Sequence, residues 1–265
     1  MKKMIKIVTM ATALTMAVSG IASATPSTQI WIPSTDIQAY KTLHLGIDNY
    51  VRASGKGSFG NPDVRDPNII DFGLTAGVLP FEKLQMEVGI DYVGSGFDFS
   101  DNHPIMLNAK LGTPEDALFK YSPALAVGIY NAGFKQIATV TPGMNMVYGL
   151  VAKTVPAIGA VPSLGRISAG GYHGSATALV DANNPSKGAN DGVLLSWDRT
   201  MSEISDKLWM AVDYQSGNSA VGALNVGVSW AFSKNVAVIF GYDIYKEKAL
   251  AGNNTFTTQL DINFP

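Results

Sequence analysis

The chain has 265 residues, no cysteine and a formal net charge of −2. Only 15% of its residues are charged, against roughly 25% in typical soluble domains. The absence of cysteine excludes disulfides, CxxCH haem attachment, cysteine-bound metals and a lipid-modified cysteine, and the acidic balance argues against a nucleic-acid partner, whose binding surface would be basic.

The first predicted element is a secretory signal peptide over residues 1–24. Three lysines within the first six residues precede an apolar run over residues 7–21, and Ala-Ser-Ala follows at 22–24. A basic start, a short apolar middle and a small-residue ending are typical of such peptides. We therefore expect cleavage after Ala24, which leaves a formal charge of about −5. A membrane-anchoring helix is the weaker alternative, because the apolar run is short.

An N-terminal segment follows, "TPSTQIWIPSTDIQAYK", over residues 25–41. Ile30, Trp31 and Ile32 make it too apolar for a free tail. Three placements are compatible with the sequence. The segment lines the periplasmic rim of the domain that follows, extends its first strand, or folds into its interior.

From residue 42 onward, alternation of apolar and polar residues recurs twelve times and predicts twelve β-strands. The predicted strands are 42–53, 69–79, 83–94, 104–112, 122–132, 144–154, 165–175, 192–199, 207–216, 222–233, 235–246 and 254–264. Most are longer than the five or six residues of an average soluble strand and match the roughly 9–11 residues that cross a bilayer. Beyond residue 21 no apolar run reaches the roughly 18 residues of a transmembrane helix.

The two faces of these strands indicate which side meets lipid. In the tenth strand Leu224, Val226, Val228, Trp230 and Phe232 alternate with Asn225, Gly227 and Ser229. Large apolar residues share one face, and small or acidic residues share the other. A small, glycine-rich polar face is expected on the wall of a lumen, so we expect the apolar face to contact lipid.

The connections between the predicted strands also alternate in character. Those after odd-numbered strands are polar and rich in turn residues, whereas 80–82 and 233–235 are tight. Long outer loops and short periplasmic turns are typical of transmembrane barrels. Three other connections on the short side, near 113–121, 155–164 and 200–206, are longer than this rule prefers.

The closing strand, "TFTTQLDINFP", carries the most specific resemblance. Its alternating apolar residues and late aromatic resemble the ending of Gram-negative outer-membrane β-barrels of the twelve-strand, porin-like size, although Pro265 follows the aromatic here. The matching positions are Phe256, Leu260, Ile262 and Phe264. The resemblance implies an all-β, antiparallel, up-and-down transmembrane barrel over residues 42–265. It also implies an outer-membrane address, recognition by the barrel-assembly machinery, and contact with outer-membrane lipid and lipopolysaccharide.

The same alternation predicts which charged side chains point into the lumen. The lumen-lining candidates are Asp48, Asp71, Glu87, Asp91, Asp213, Asp243 and Asp261, with Lys110 and Lys153. Asp198 is a further candidate, and His44 shares the inward face of the first strand. An interior of about twelve strands lies between the filled eight-strand and the open sixteen-strand barrels. The acids therefore either line a narrow pore or hydrogen-bond inside a closed barrel.

Catalytic and metal-binding signals are weak. His173 and Ser175 are two residues apart, which resembles the pair of outer-membrane lipid A deacylases, but a His-x-Ser match occurs easily by chance. The sequence has no glycine-rich phosphate loop and no HExxH motif, so we predict no catalytic residue, cofactor or metal site. His103 precedes a proline in a predicted outer loop. The Asx-rich stretches 98–101 and 181–184 read as turns, with a loop-bound Ca²⁺ as the alternative.

The sequence therefore favours a narrow outer-membrane porin for passive passage of small solutes, with a modest preference for cations. Two alternatives stay open. One is an outer-membrane lipid hydrolase, and the other is a structural or adhesive barrel with a closed lumen.

Overall fold

The computed structural model describes residues 27–58, 62–95, 104–134, 143–157, 159 and 163–265. The predicted signal peptide, His103 and the stretch 98–101 lie outside these residues.

Within the described residues, twelve long antiparallel strands close into one barrel. They are β1 Leu43–Arg52, β2 Ile69–Gly77, β3 Gln85–Ser95, β4 Ile105–Thr113, β5 Ala124–Ala132, β6 Met146–Val155, β7 Gly165–His173, β10 Asp191–Thr200, β11 Leu208–Gln215, β12 Ala223–Ala231, β13 Val236–Tyr245 and β14 Thr255–Phe264. All twelve predicted strands are confirmed, with ends that differ by at most two residues.

Two small elements interrupt the connections. A hairpin of β8 Val180–Asp181 and β9 Asn184–Gly188 lies between β7 and β10, in a stretch that the sequence predicted as loop. The Asp181 carboxylate accepts a hydrogen bond from the Asn183 amide at 2.7 Å, which makes the predicted Asx turn the bend of this hairpin. A four-residue helix, α1 Lys248–Ala251, precedes β14, and no helix of the described residues has the length and apolarity needed to cross a membrane.

The barrel closes where β1 pairs with β14. Their register runs without a break from Leu43 opposite Phe264 to Arg52 opposite Thr255. Every barrel strand therefore has two neighbours, and no backbone edge is left open. In hydrocarbon this matters, because an unpaired backbone amide or carbonyl there costs several kcal/mol.

The outer face is apolar along the middle of the strands. On β12 and β13, Val226, Val228, Trp230 and Phe240 are 37–53% exposed, and the polar residues between them point inward. A continuous exposed apolar surface of this kind is unfavourable in water and is what a bilayer covers. The fold is that of a transmembrane β-barrel.

The two ends of the barrel differ. We call the end with connections 53–68, 133–145 and 174–190 the mouth, and the end with connections 78–84 and 232–235 the base. Short turns mark the periplasmic end of such barrels.

Asp66 joins two mouth connections. Its carboxylate accepts hydrogen bonds from the Ser58 amide and hydroxyl, both at 2.7 Å, and from the Asn253 amide at 2.7 Å. Burial of Asp66 disfavours its charged form, but these hydrogen bonds outweigh it, so that the pKa of Asp66 is lowered. The ionised carboxylate therefore ties the β1–β2 connection to the β13–β14 connection.

The described part of the N-terminal segment occupies the barrel interior, the third of its possible placements. Residues 27–41, which we call the plug, enter at the base, where Tyr40 bridges to Gly77. A tight turn follows, with a backbone hydrogen bond of 2.8 Å from Gln29 to Ile32. Ile30 packs with Trp209, Ala211 and Ile239, and Ile32 packs with Met146, Tyr148, Leu150, Tyr172 and Leu194.

Candidate solute path through the barrel

The inner wall carries eight of the nine charged residues assigned to the lumen from the sequence. Glu87, Lys110, Asp213, Asp243 and Asp261 are almost fully buried on it, each at most 3% exposed. Asp48, Asp71 and Asp91 line an interior cavity. Asp198 is also buried on the inner wall, and so is His44.

Lys153 is the exception, and its assignment to the lumen is wrong. It lies opposite Ile167, which is exposed on the outer face, and its ammonium group pairs with Glu115 Oε2 at 2.9 Å near the base. The inner face of β6 carries Tyr148 and Leu150 instead. The prediction placed the large apolar side of the strands outward, but β6 has large apolar residues on both sides, because its inner face packs against the plug.

Carboxylates of the wall hold the tip of the plug. Asp213 Oδ2 accepts the backbone N–H groups of Ile30 and Trp31 at 2.8 and 2.9 Å, while Asn225 donates to its other oxygen at 2.6 Å. On the far side of the tip, the Gln259 amide donates to the Ile30 carbonyl at 2.7 Å. Backbone groups that would otherwise be unpaired inside the barrel are thereby satisfied.

The Trp31 ring lies toward the mouth, between the rings of Tyr50 and Tyr245. The centroid distances are 5.6 and 5.5 Å, and both pairs are edge-on. Such pairs add roughly 0.5–1.5 kcal/mol beyond the burial of their area. The plug is therefore anchored by packing as well as by hydrogen bonds.

Near the base, the plug is held by Glu87 and Lys110, which lie opposite each other on β3 and β4. Their charged groups are 3.1 Å apart. Glu87 also accepts hydrogen bonds from the Ser27 hydroxyl at 3.0 Å and the Gln38 amide at 2.6 Å, and Lys110 donates to the Ser27 carbonyl at 3.1 Å. This charged pair therefore joins the wall to both ends of the plug.

Arg166 is a functional contact that the sequence reasoning missed. Its guanidinium forms a fork on Asp36 of the plug, at 2.5 and 2.7 Å, and also contacts Asp198 Oδ1 at 3.0 Å. Asp198 lies directly opposite it on β10. The available signal was Arg166 alternating with Ser168 on the polar side of β7, but that strand showed no clear apolar face.

A cavity of about 220 Å³ separates the plug from strands β1–β5. Toward the mouth it is lined by Ile69, Val93 and Tyr130, and toward the base it ends at Glu87 and Lys110. A second cavity lies at the base, and its lining includes Asp36, Gln85 and Arg166. The Glu87–Lys110 pair and the plug lie between the two cavities.

Several polar atoms of the wall have no hydrogen-bond partner among the described residues. The buried atoms of this kind on the inner wall include Gln215 Nε2, Asn225 Oδ1, Asp243 Oδ1, Thr257 Oγ1, Gln259 Oε1 and both carboxylate oxygens of Asp261. Native interiors leave few such groups unsatisfied, and ordered water usually completes them. The chemistry of this wall suits a hydrated lumen better than a dry core.

The residues considered for catalysis lie at the mouth. His173 is exposed and its Nδ1 is 2.6 Å from Asp191 Oδ1, whereas the Ser175 hydroxyl contacts Thr177 at 3.0 Å. The His–carboxylate half of a catalytic arrangement is thus present, but the hydroxyl of Ser175 is directed to another partner. In the described part of the chain, no three His, Asp or Glu side chains converge to hold a metal ion.

The four residues of the proposed assembly signal share the outer face of β14. Phe256 and Phe264 are 59% and 44% exposed, and Leu260 and Ile262 are half-buried between them. Their recognition by the assembly machinery stays a prediction.

No protein-family model and no curated protein matches the chain. Among solved structures, it is similar to Salmonella typhi OmpF in complex with daunomycin, with 8% identity, a TM-score of 0.40 and coverage of 84% of this chain and 96% of that one. It is also similar to the COG4313 outer membrane channel from Pseudomonas putida F1, with 13% identity, a TM-score of 0.43 and coverage of 86% of this chain and 96% of that one. A third similar structure is Ail, the attachment invasion locus protein of Yersinia pestis, with 8% identity, a TM-score of 0.18 and coverage of 84% of this chain and 95% of that one. Values this low transfer no residue role and no function.

The class of the protein follows from its own structure. A closed antiparallel barrel of twelve strands with an apolar exterior and a polar interior confirms the predicted class of outer-membrane-type β-barrel.

Proposed function

We propose that this protein is a channel of the Gram-negative outer membrane, through which small polar solutes diffuse along the side of the plug. The observation that carries the proposal is the cavity between the plug and β1–β5, because it extends from the mouth ends of the strands to Glu87 and Lys110. The second cavity continues on the base side of that pair. The Glu87–Lys110 pair is then the constriction, and its opening connects the two cavities.

A glycine on the inner wall allows a direct test of this path. A Cβ atom built on Gly46, which lines the cavity, lies 3.6 Å from its nearest neighbour, so the backbone tolerates a side chain there. Gly46→Phe places a ring in the cavity. Gly149→Phe is the matched control, because a Cβ there meets only Val127 at 3.9 Å and Gly149 shares the outer face of β6 with Val147 and Val151.

The measurement is single-channel conductance of the refolded protein in a planar bilayer. We expect discrete steps for the wild type, smaller steps for Gly46→Phe and wild-type steps for Gly149→Phe. Silence from folded wild-type protein would contradict the channel. Equal steps in all three proteins would show that ions pass elsewhere.

The address belongs to the same proposal. The apolar exterior supports contact with outer-membrane lipid and lipopolysaccharide, and the signal peptide and closing strand support export and assembly by the barrel-assembly machinery. We expect the protein in the outer-membrane fraction, with a folded gel band that shifts on boiling. Recovery in the soluble periplasmic fraction without a heat shift would contradict this address.

A closed structural barrel is the second candidate, and the contacts of the plug favour it. Arg166, Glu87 and Asp213 each hold the plug by short polar bonds. A bilayer that stays silent while the protein is folded would support this candidate over the channel.

A further inference from the structure

We propose that the cavity beside the plug binds a small organic cation, an alkylammonium or diamine, through three carboxylates that line it, next to a fourth, Asp261, on the adjoining wall. This inference deepens the proposed channel by naming the class of solute that its path retains. We call Asp48, Asp71, Asp91 and Asp261 the acidic cluster.

The register of the strands builds the cluster around two glycines. Gly46 and Gly73 lie opposite each other on β1 and β2. Asp261 flanks Gly46 on the β14 side, and Asp91 flanks Gly73 on the β3 side. One step toward the mouth, on the same inner face, Asp48 lies opposite Asp71. Four carboxylates therefore surround a patch of wall that has no side chains.

At Gly73 a side chain would disturb this arrangement. A Cβ atom on Gly73 would lie 2.8 Å from Asp91 Oδ1, closer than real Cβ contacts allow. Above Gly46 a Cβ would meet His44 Nε2 and Asp48 Oδ1, at 3.6 and 3.9 Å. The glycines thus leave room into which the carboxylates lean and in which a ligand can sit.

Among the described residues, no lysine or arginine forms an ion pair with the cluster. Like charges directly opposite on neighbouring strands are destabilising. The basic side chains nearby are engaged elsewhere. Lys110 pairs with Glu87, and the Arg52 guanidinium donates to the backbone carbonyls of Pro67 and Asn253. The remaining partner is His44, whose Nε2 is 3.6 Å from Asp261 and whose Nδ1 contacts Asn263.

Orphaned buried oxygens give a second and independent sign of a missing ligand. Asp261 is 2% exposed, and neither of its carboxylate oxygens has a hydrogen-bond partner. Asp71, which lines the cavity, also has one buried oxygen without a partner. Leaving a charged group buried and unpaired costs more than leaving a neutral one, so a cationic donor that enters the cavity gains the interaction that the Asp71 oxygen lacks, and its charge also offsets that of the neighbouring Asp261.

The surroundings decide between a metal ion and an organic cation. The described residues contain no group of three His, Asp or Glu side chains placed to hold one metal ion, and cross-strand neighbours stand about 5 Å apart. Four aromatic side chains also line the cavity, namely Trp31, Tyr50, Tyr130 and Tyr148. Aromatic faces attract alkylammonium groups and their carbon chains. With about 220 Å³, the cavity is smaller than the roughly 300–1,000 Å³ of drug-sized pockets, which favours a short chain.

The test uses the full-length refolded protein in detergent at low ionic strength, with 1,4-diaminobutane as the probe. Isothermal titration calorimetry should detect binding of the diamine, and weaker or no binding of the neutral 1,4-butanediol. The variant Asp48→Asn/Asp71→Asn/Asp91→Asn should reduce the diamine affinity by roughly tenfold or more, because the loss of even one charged hydrogen bond weakens binding by about that factor. Asp191→Asn, at an exposed carboxylate of the mouth, is the matched control and should bind as the wild type does.

Equal diamine binding by the wild type and the triple variant, or equal binding of diamine and diol, would overturn the proposal. The gel heat shift confirms that each variant is folded, and the triple variant removes repulsion and should fold at least as well. Calorimetry detects binding whether or not the barrel conducts ions, so it tests the cation site separately from the channel. Diamine binding with a silent bilayer supports the site and contradicts the channel, whereas conduction without diamine binding contradicts the site alone.

Discussion

Replacing Asp213 by alanine should release the plug from the wall. The carboxylate accepts two backbone N–H groups of the plug tip, from Ile30 and Trp31, at 2.8 and 2.9 Å. Hydrogen bonds to charged groups are worth about 1.5–3 kcal/mol each. Water that enters the lumen will partly replace them, so we take the lower value for each of the two bonds. The plugged state then loses about 3 kcal/mol of stability relative to the state with a displaced plug. At 1.4 kcal/mol per factor of ten, the displaced plug becomes about a hundredfold more populated.

Single-channel recording measures that population. Asp213→Ala should spend a much larger fraction of time in a high-conductance state than the wild type, because a displaced plug opens the lumen. Asp243→Ala is the control. That carboxylate is equally buried on the adjoining wall, but its short hydrogen bond comes from Thr255 on the barrel. Identical gating in all three proteins would refute the idea that Asp213 holds a displaceable plug.

A reversible tether tests the same motion in the opposite direction. The chain has no cysteine, so Ile30→Cys/Gly241→Cys introduces a single pair. A Cβ on Gly241 lies 3.3 Å from Ile30 Cγ2, which is one bond beyond the Ile30 Cβ, so the two Cβ atoms come near the roughly 3.8 Å spacing of a disulfide. The Thr257 methyl group, 2.8 Å from that Cβ, must turn aside. In the Asp213→Ala background, oxidation should abolish the high-conductance state and reduction should restore it.

The mouth contact of Asp66 should depend on pH: its lowered pKa means that the bonds from Asn253 stabilise the fold above about pH 4 and are lost as pH falls through the folded value. Asp66→Asn should therefore lower the urea midpoint more at pH 7 than at acidic pH, and equal midpoints of the variant and the wild type at pH 7 would contradict this reading. Phe264→Ser should reduce the amount of heat-modifiable barrel in the outer membrane while Asn263→Ser leaves it nearly intact; equal amounts would show that the outer face of β14 is not what the machinery reads. The purified protein should release no fatty acid from lipid A or phospholipid, whereas release that Ser175→Ala abolishes would establish the hydrolase instead.

The barrel was predictable because its strands are long and their two faces differ. On β12, Val226, Val228 and Trp230 stand against Asn225 and Gly227, and the sequence alone separates the two sets. The alternation of apolar and polar residues defines the two faces of a strand but does not say which face points inward. That assignment was made from the size of the apolar side chains, with the larger ones placed outward. The size criterion gave the wrong result on β6, because its large residues Tyr148 and Leu150 point inward. Lys153 was assigned to the lumen for that reason.

The position of the plug was not predictable from local sequence. Its partners are far away along the chain: Glu87 is 60 residues from Ser27, and Gln259 is 229 residues from Ile30. No period or turn signal in residues 27–41 encodes such contacts. The acids of the wall were predictable as inward, but which of them serve the plug depends on three-dimensional proximity alone.

Some acidic residues of the wall bind the plug and others do not, which explains how one lumen can be both packed and polar. On the β7 to β12 side, Asp213 accepts backbone N–H groups of the plug, and Asp198 shares Arg166 with Asp36, so the charge there is used in holding the plug. On the β1 to β3 side, Asp48 and Asp71 face a cavity and each other. The plug supplies no basic side chain to that side. Its only charged residues are Asp36 and Lys41. Lys41 lies at the base, where its backbone N–H donates to the Gly77 carbonyl. The carboxylates that the plug does not use therefore lie on one side of the lumen, next to the open space through which a solute would pass.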